Sequence, residues 1–426
     1  MASRRGARAG IVFILITLFL DILGLGIVIP VLPGLVDAFV PGGASAAAPW
    51  YAALVAAYAL MQFLCAPLIG ALSDRFGRRT VILISLTAFG INYLILAFAP
   101  TLAWLFVGRL IAGATGATIT AANAYIADVS TPDTRARNFG FVGVAFGLGF
   151  IFGPALGGLL GDIGLRVPFF ASAGVVLLNA LYGAIVLPES LPKERRRPFA
   201  WRRADPFRAL MGLRAYPLVA GLAFAYLFFS LAQRGLETVF VLYTDYRYGW
   251  GPAENGLALA LVGVMAAVVQ GGLVRPTVRH LGERRTVLLG LSISLLGFVG
   301  YGLASQGWMM LAVIAFASLG AVAAPAIQGL VAGVVPSAEQ GSVQGTLTSL
   351  LSLTSVLAPL ISGGLFGVFS GGGAIVEAPG MPFFVGAGFL AVALALVVRA
   401  LRRNPVLAEG VPPEEATAGS NAGPRG

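Results

Sequence analysis

Twelve apolar stretches, each about 20 residues long, follow one another along this chain, and its arginines gather in the gaps between them. The stretches fall near 11–32, 50–70, 80–98, 102–126, 137–160, 167–187, 216–240, 255–274, 285–304, 308–330, 341–368 and 381–401. A helix of that length crosses a hydrocarbon layer of about 30 Å. The composition agrees: 58% of residues are hydrophobic, 11% are charged, and the mean hydropathy is +0.89. Soluble chains carry about 25% charged residues. This pattern excludes a soluble enzyme and makes lipid the solvent.

The net charge of +10 then has a topological meaning. Of the 28 Lys and Arg residues, 24 fall in alternate connections and the two ends, and only Arg166 and Arg247 fall on the other side. The remaining two, Arg109 and Arg234, lie inside spans. The bias of positive charge towards the cytoplasm places both termini there. The basic balance thus reports orientation in a bilayer and implies no nucleic-acid partner. Arg4, Arg5 and Arg8 before an apolar run resemble the start of a signal peptide. No small-residue cleavage site follows and the run contains Asp21, so it reads as a retained first span. The tail 404–426 reads as disordered.

One cysteine, Cys65, and one histidine, His280, exclude an intrachain disulfide, a Cys-based metal centre and a multi-His metal site. No phosphate-binding loop of the Gly-x-x-x-x-Gly-Lys type is present, so no ATP use and no enzyme activity are expected.

The chain repeats itself. The longest charged connection, 188–215, divides six spans (11–187) from six (216–403), with 1–10 as a cytoplasmic N-terminus. Gly77, after span 2, and Gly282, after span 8, occupy matching segments 205 residues apart. Pro154 in span 5 and Pro359 in span 11 are also 205 apart. The expected fold is all-α, two six-helix bundles with a site between them near the midplane.

Three segments resemble the major facilitator superfamily, specifically its twelve-helix drug:proton antiporters. They are Gly70-x-x-x-Asp74-Arg75-x-Gly77-Arg78-Arg79, Gly108-Arg109 with Gly113 and Gly116, and Gly149-x-x-x-Gly153-Pro154-x-x-Gly157-Gly158. Leu20-Asp21 through Pro33, Tyr58 to Gln62, and Val241 to Trp250 are similar to the tetracycline-resistance exporters. The resemblance covers about 11–400. It implies export of a small amphipathic compound in exchange for protons, driven by the proton gradient without a cofactor, by a monomer in a lipid bilayer. Three positions depart from it. Where those exporters carry aspartate, histidine and aspartate tied to metal-tetracycline and proton handling, this chain has Asn92, Ala266 and Ser294. Gln270 matches.

The marked residues each have a functional and a structural reading. An ionisable group inside a span costs at least about 2.5–3.5 kcal/mol on insertion scales, so Asp21 is a candidate proton carrier; the alternative is a hydrogen bond within its bundle. Arg109 cannot give up its proton. Its charge can favour the ionised form of a neighbouring acid, or it can simply link helices. Arg234 and Glu237, spaced i, i+3, can pair on one helix face. They read as a neutral salt bridge near the outer surface or as a second proton site compensating for positions 92 and 294.

Asp74 can sit at the positive end of a neighbouring helix. Arg75, Arg78 and Arg79 can pair across the bundle interface, for example with Asp128, as a cytoplasmic latch for the outward-facing state. Gly149, Gly153, Pro154, Gly157 and Gly158, with Pro359 at the paired position, form a tight seam and a bend. Gln62, Asn92, Tyr93, Asn123, Phe229, Gln233 and Gln270 are the candidate cavity groups, or ordinary packing residues. Rival functions are a carrier for one metabolite and a non-transporting sensor or scaffold. The Arg-to-Lys bias suggests a GC-rich bacterial genome, hence an inner membrane.

Overall fold

The computed structural model describes residues 2–116, 118–196, 217–334, 340–371, 374 and 376–403. The expected linker is therefore described only to Arg196, and the expected tail lies outside the described residues.

Among the described residues every regular element is helical. Spans 1, 2 and 3 are Ala2–Val28, Gly43–Phe76 and Arg78–Phe98. Span 4 comes in two pieces, Leu102–Thr115 and Thr118–Val129. Spans 5, 6 and 7 are Pro132–Ile163, Val167–Val186 and Pro217–Tyr248. Span 8 starts as Pro252–Val268 and passes through a π-turn at Val269–Leu273. The next segment, Val274–Leu303, leaves helical torsions at Gly282, so its first turns complete span 8 and the rest is span 9. Span 10 is Gly307–Ser318 and Ala323–Val334, joined by a 3₁₀ turn at Leu319–Val322. Spans 11 and 12 are Gln340–Phe369 and Met381–Arg403.

Most helices outrun their apolar stretches. Gly43–Phe76, with 34 residues, is about 51 Å long at 1.5 Å per residue. A helix leaving the hydrocarbon continues until local chemistry stops it. Gly77 stops span 2 with φ 101° and ψ 151°, a region closed to residues with a Cβ. Gly282 takes φ 74° and ψ 163° at the equivalent point of the second half. At the other end of such connections, Pro132, Pro168 and Pro252 begin spans 5, 6 and 8 in the first helical turn, where the missing N–H costs nothing.

Spans 1 and 5, 3 and 6, and 2 and 4 pack within the first bundle, while spans 7 and 12, 9 and 12, and 9 and 10 pack within the second. The bundles meet along spans 5 and 8 and along spans 2 and 11.

Apolar residues fill the interior and also cover the outer faces, where Ile84, Phe98, Leu178 and Ile185 are largely exposed. Ser85, Asn92, Ser172 and Asn179 are buried. Lipid tails solvate the apolar outer faces, and these polar side chains turn inwards, away from them.

Candidate functional site

The centre of the first bundle collects charge in an apolar setting. Asp21 lies inside span 1, half-buried, in a small cavity of about 30 Å³ with Ile22, Leu25, Tyr58, Phe89, Gly116 and Ile119. Its Oδ1 has no hydrogen-bond partner among the described residues. Arg109, in the first piece of span 4, is buried, and its Nε is likewise unpartnered among them. The two form no ion pair. Tyr58 and Tyr93 stand within electrostatic reach of both, and Tyr51 within reach of Arg109. The guanidinium carbon lies 5.8 Å from the Tyr58 ring centroid, a cation–π contact worth about 0.5–2 kcal/mol. Tyr58 and Tyr93 thus flank both charged groups. Gly24 leaves room for the Tyr93 hydroxyl, and Gly108 for Asn92.

Gly116 and Ile119 line both the Asp21 cavity and a cleft of about 300 Å³. The cleft is walled by Gln62, Phe63 and Pro67 of span 2 and by Thr348, Ser352 and Ser355 of span 11. It therefore lies between the bundles and ends at the Asp21 cavity. Gln62 donates to the Tyr58 hydroxyl at 3.4 Å, the long end of a hydrogen bond.

Away from this cleft the bundles close on each other. Ser45, Pro49 and Ala52 meet Gly367 and Gly363, and Pro252 and Gly256 meet Gly158 and Pro154. Asp162 accepts from the backbone N–H of Ala253 at 3.2 Å. The protein is thus open between the bundles on the side carrying Gly77 and Gly282, and shut on the opposite side.

The span 5 glycines have two jobs. Gly149, Gly153 and Gly157 face span 1, and a Cβ on Gly153 would lie 2.8 Å from the Cα of Gly26. Gly158 faces span 8 of the other bundle. Its repeat mate Gly363, beyond Pro359 in span 11, faces Ala52 of span 2 in the same way. The seam runs beside Asp21 on one face and across the bundle interface on the other.

The charged loop after span 2 takes a different arrangement from the expected one. Arg78 pairs with Asp74 at 2.6 Å and with Asp128 at 3.2 Å, and donates to Ser73. All of these belong to the first bundle, so among the described residues no ion pair of this loop crosses the interface, and Asp128 is a partner within its own bundle. Arg75 lies over the Phe76 ring and Arg79 donates to the carbonyl of Ala184. The carboxylate at the start of span 3 is Glu189, not Asp74. Glu189 accepts from the backbone N–H groups of Arg78 (2.9 Å), Ser190 and Leu191, and pairs with Arg196 at 3.6 Å. Sequence reasoning missed it: its partners are backbone groups over 100 residues earlier. Gly70 sits near Thr120.

A second cavity, about 520 Å³, lies wholly in the second bundle. Phe229, Gln233 and Gln270 line it, as expected, together with Glu237, Ala266, Ser294 and Gln328. Asn92 and Tyr93 pack inside the first bundle instead, and Asn123 is half-buried with an unpartnered Oδ1. Arg234 and Glu237 pair at 2.6 Å. Glu237 lines the cavity, and about half of each side chain is open.

Comparison with known proteins agrees with this architecture. The Major Facilitator Superfamily profile matches residues 14–307 and 272–423. The class C tetracycline resistance protein of Escherichia coli is 40% identical over 351 residues, which is 82% of this chain and 88% of that one. The class G protein of Vibrio anguillarum is 41% identical, covering 83% and 89%. Among solved structures, the human organic anion transporter MFSD10 (TETRAN) superposes with a TM-score of 0.66 at 25% identity, over 92% of this chain and 99% of that one. A bacterial homologue of the lysosomal transporter Spinster, in an inward-facing unoccupied conformation, superposes with a TM-score of 0.75 at 17% identity, over 93% and 97%. With twelve spans, two repeated bundles and these relatives, the chain is a multi-pass membrane transporter of the Major Facilitator Superfamily, in its tetracycline-resistance-like branch.

Proposed function

We propose that this protein exports a small amphipathic, tetracycline-like compound in exchange for protons by alternating access, from the cytoplasm across a bacterial inner membrane. One observation carries the reading. A carboxylate with an unpartnered oxygen lies inside a span, at the end of a cleft open between the bundles. Such a group is costly to keep unless it exchanges something. A proton reaching Asp21 neutralises it, and its loss restores the charge; the fixed charge of Arg109 favours the second state. The names of the relatives point to tetracyclines as the first compounds to try. The positive charge on the open side supports a cytoplasmic opening, hence an inward-facing state, with both termini on that side. In this reading the Asp74–Arg78–Asp128 and Glu189 network holds the cytoplasmic ends of the first bundle as one body. The glycine seams of spans 5 and 11 are the surfaces on which the bundles rock.

The test uses inverted membrane vesicles with an acidified interior and a fluorescent pH probe. Tetracycline added outside should partly collapse the gradient with the wild-type protein and leave it intact with Asp21→Asn. A gradient that collapses equally with both would refute the role of Asp21. No response to tetracyclines, phenicols, quinolones or cationic dyes from correctly inserted protein would refute proton-coupled drug export.

A further inference from the structure

The 520 Å³ cavity of the second bundle is large enough for a drug-sized molecule and lies apart from Asp21. One face of span 7 supplies Tyr226, Phe229, Gln233, Glu237 and Phe240, at helical spacing. Phe298, Tyr301 and Pro325 complete the apolar wall. Its polar groups are few. Gln328 is already committed, donating to the Tyr226 hydroxyl at 2.8 Å. The Ser294 Oγ is not: the residue is 1% exposed and its hydroxyl has no partner among the described residues. Glu237 is the one carboxylate of the wall, and Arg234, one turn back, binds it at 2.6 Å.

That ion pair has no structural explanation. A pair with 52% and 60% of its side chains open gains little stability, because solvent screens it. Placing it inside a span is nonetheless costly. A half-open pair in an aromatic cavity is, however, suited to exchange. A ligand carrying both an ammonium group and an acidic oxygen can replace one internal pair with two external ones, ammonium on Glu237 and oxyanion on Arg234. The net charge within the membrane does not change. A ligand with only one charge leaves its counterpart, Arg234 or Glu237, uncovered in the interior.

We infer that the Arg234–Glu237 pair is a specificity-determining element of this cavity that selects zwitterionic ligands, with the ligand's amine seated on Glu237 among the aromatic rings. The Ser294 hydroxyl supplies a further hydrogen bond. This rests on the reading of the chain as a drug exporter, and it divides the labour: Asp21 handles the proton and Glu237 the ligand. Tyr51 of the first bundle, within electrostatic reach of both Arg109 and Glu237, lies between the two sites.

The test is equilibrium binding to purified protein in nanodiscs, with no proton gradient and with EDTA present. The probes are tetracycline, a zwitterion, and its derivative lacking the dimethylamino group. Wild type should bind tetracycline at least 10-fold more tightly than the deaminated probe. Glu237→Gln should remove that preference by weakening tetracycline, while the deaminated probe binds at least as tightly as to wild type, which also reports a folded cavity. Arg234→Gln should weaken the zwitterion by a similar factor. Asp21→Asn should bind tetracycline like wild type. Equal affinity of wild type for the two probes, no binding of either, or equal loss of both in Glu237→Gln overturns the proposal. Selective binding that depends on Glu237, together with a gradient insensitive to tetracycline, would keep this inference and reject proton coupling.

Discussion

Gly158→Ala should turn the transporter towards its other state. A Cβ on Gly158 would sit 3.1 Å from the Cα atoms of Ala253 and Gly256, and closer still to the carbonyl oxygen of Pro252. All three are on span 8 of the opposite bundle and belong to a helix backbone, so no rotamer change relieves the contact. Overpacking of this kind costs about 1–3 kcal/mol. The contact exists only while the bundles are shut on this side, so the cost falls on one state alone. At about 1.4 kcal/mol per factor of ten, the closed-to-open ratio drops by roughly 5- to 150-fold. Gly363→Ala, one repeat later and against Ala52, should act in the same direction.

The assay is alkylation of a cysteine placed at Ser352, in the cleft, by a membrane-impermeant maleimide in a Cys65→Ser background. Labelling follows the fraction with the cleft open, so it should slow by at most that factor, and by the full factor where that state is the minor one. Gly153→Ala is the control: its clash is with Gly26 of the same bundle, so it should lower thermal stability without changing the labelling rate. Unchanged labelling in folded Gly158→Ala would refute the argument that this glycine seam sets the balance between states.

Other outcomes follow from the same geometry. Glu189→Gln weakens the cap of span 3 and the pair with Arg196, and should cost about 0.5–2 kcal/mol, read as a lower unfolding temperature. Arg109→Lys keeps the charge but loses the planar group stacked over Tyr58, and should abolish coupled exchange in vesicles while leaving tetracycline binding intact.

What the sequence made legible was whatever depends on spacing along one chain. Apolar length set the spans, and the 205-residue offset paired Gly77 with Gly282, which share an unusual backbone conformation. The i, i+3 spacing brought Arg234 to Glu237. What escaped depends on partners far apart in sequence, or on backbone groups with no letter of their own. Glu189 reads as one more acid after a span, yet it caps a helix 111 residues earlier. Asp128 reads as a free acid at a cytoplasmic end, and only packing of span 4 on span 3 commits it to its own bundle.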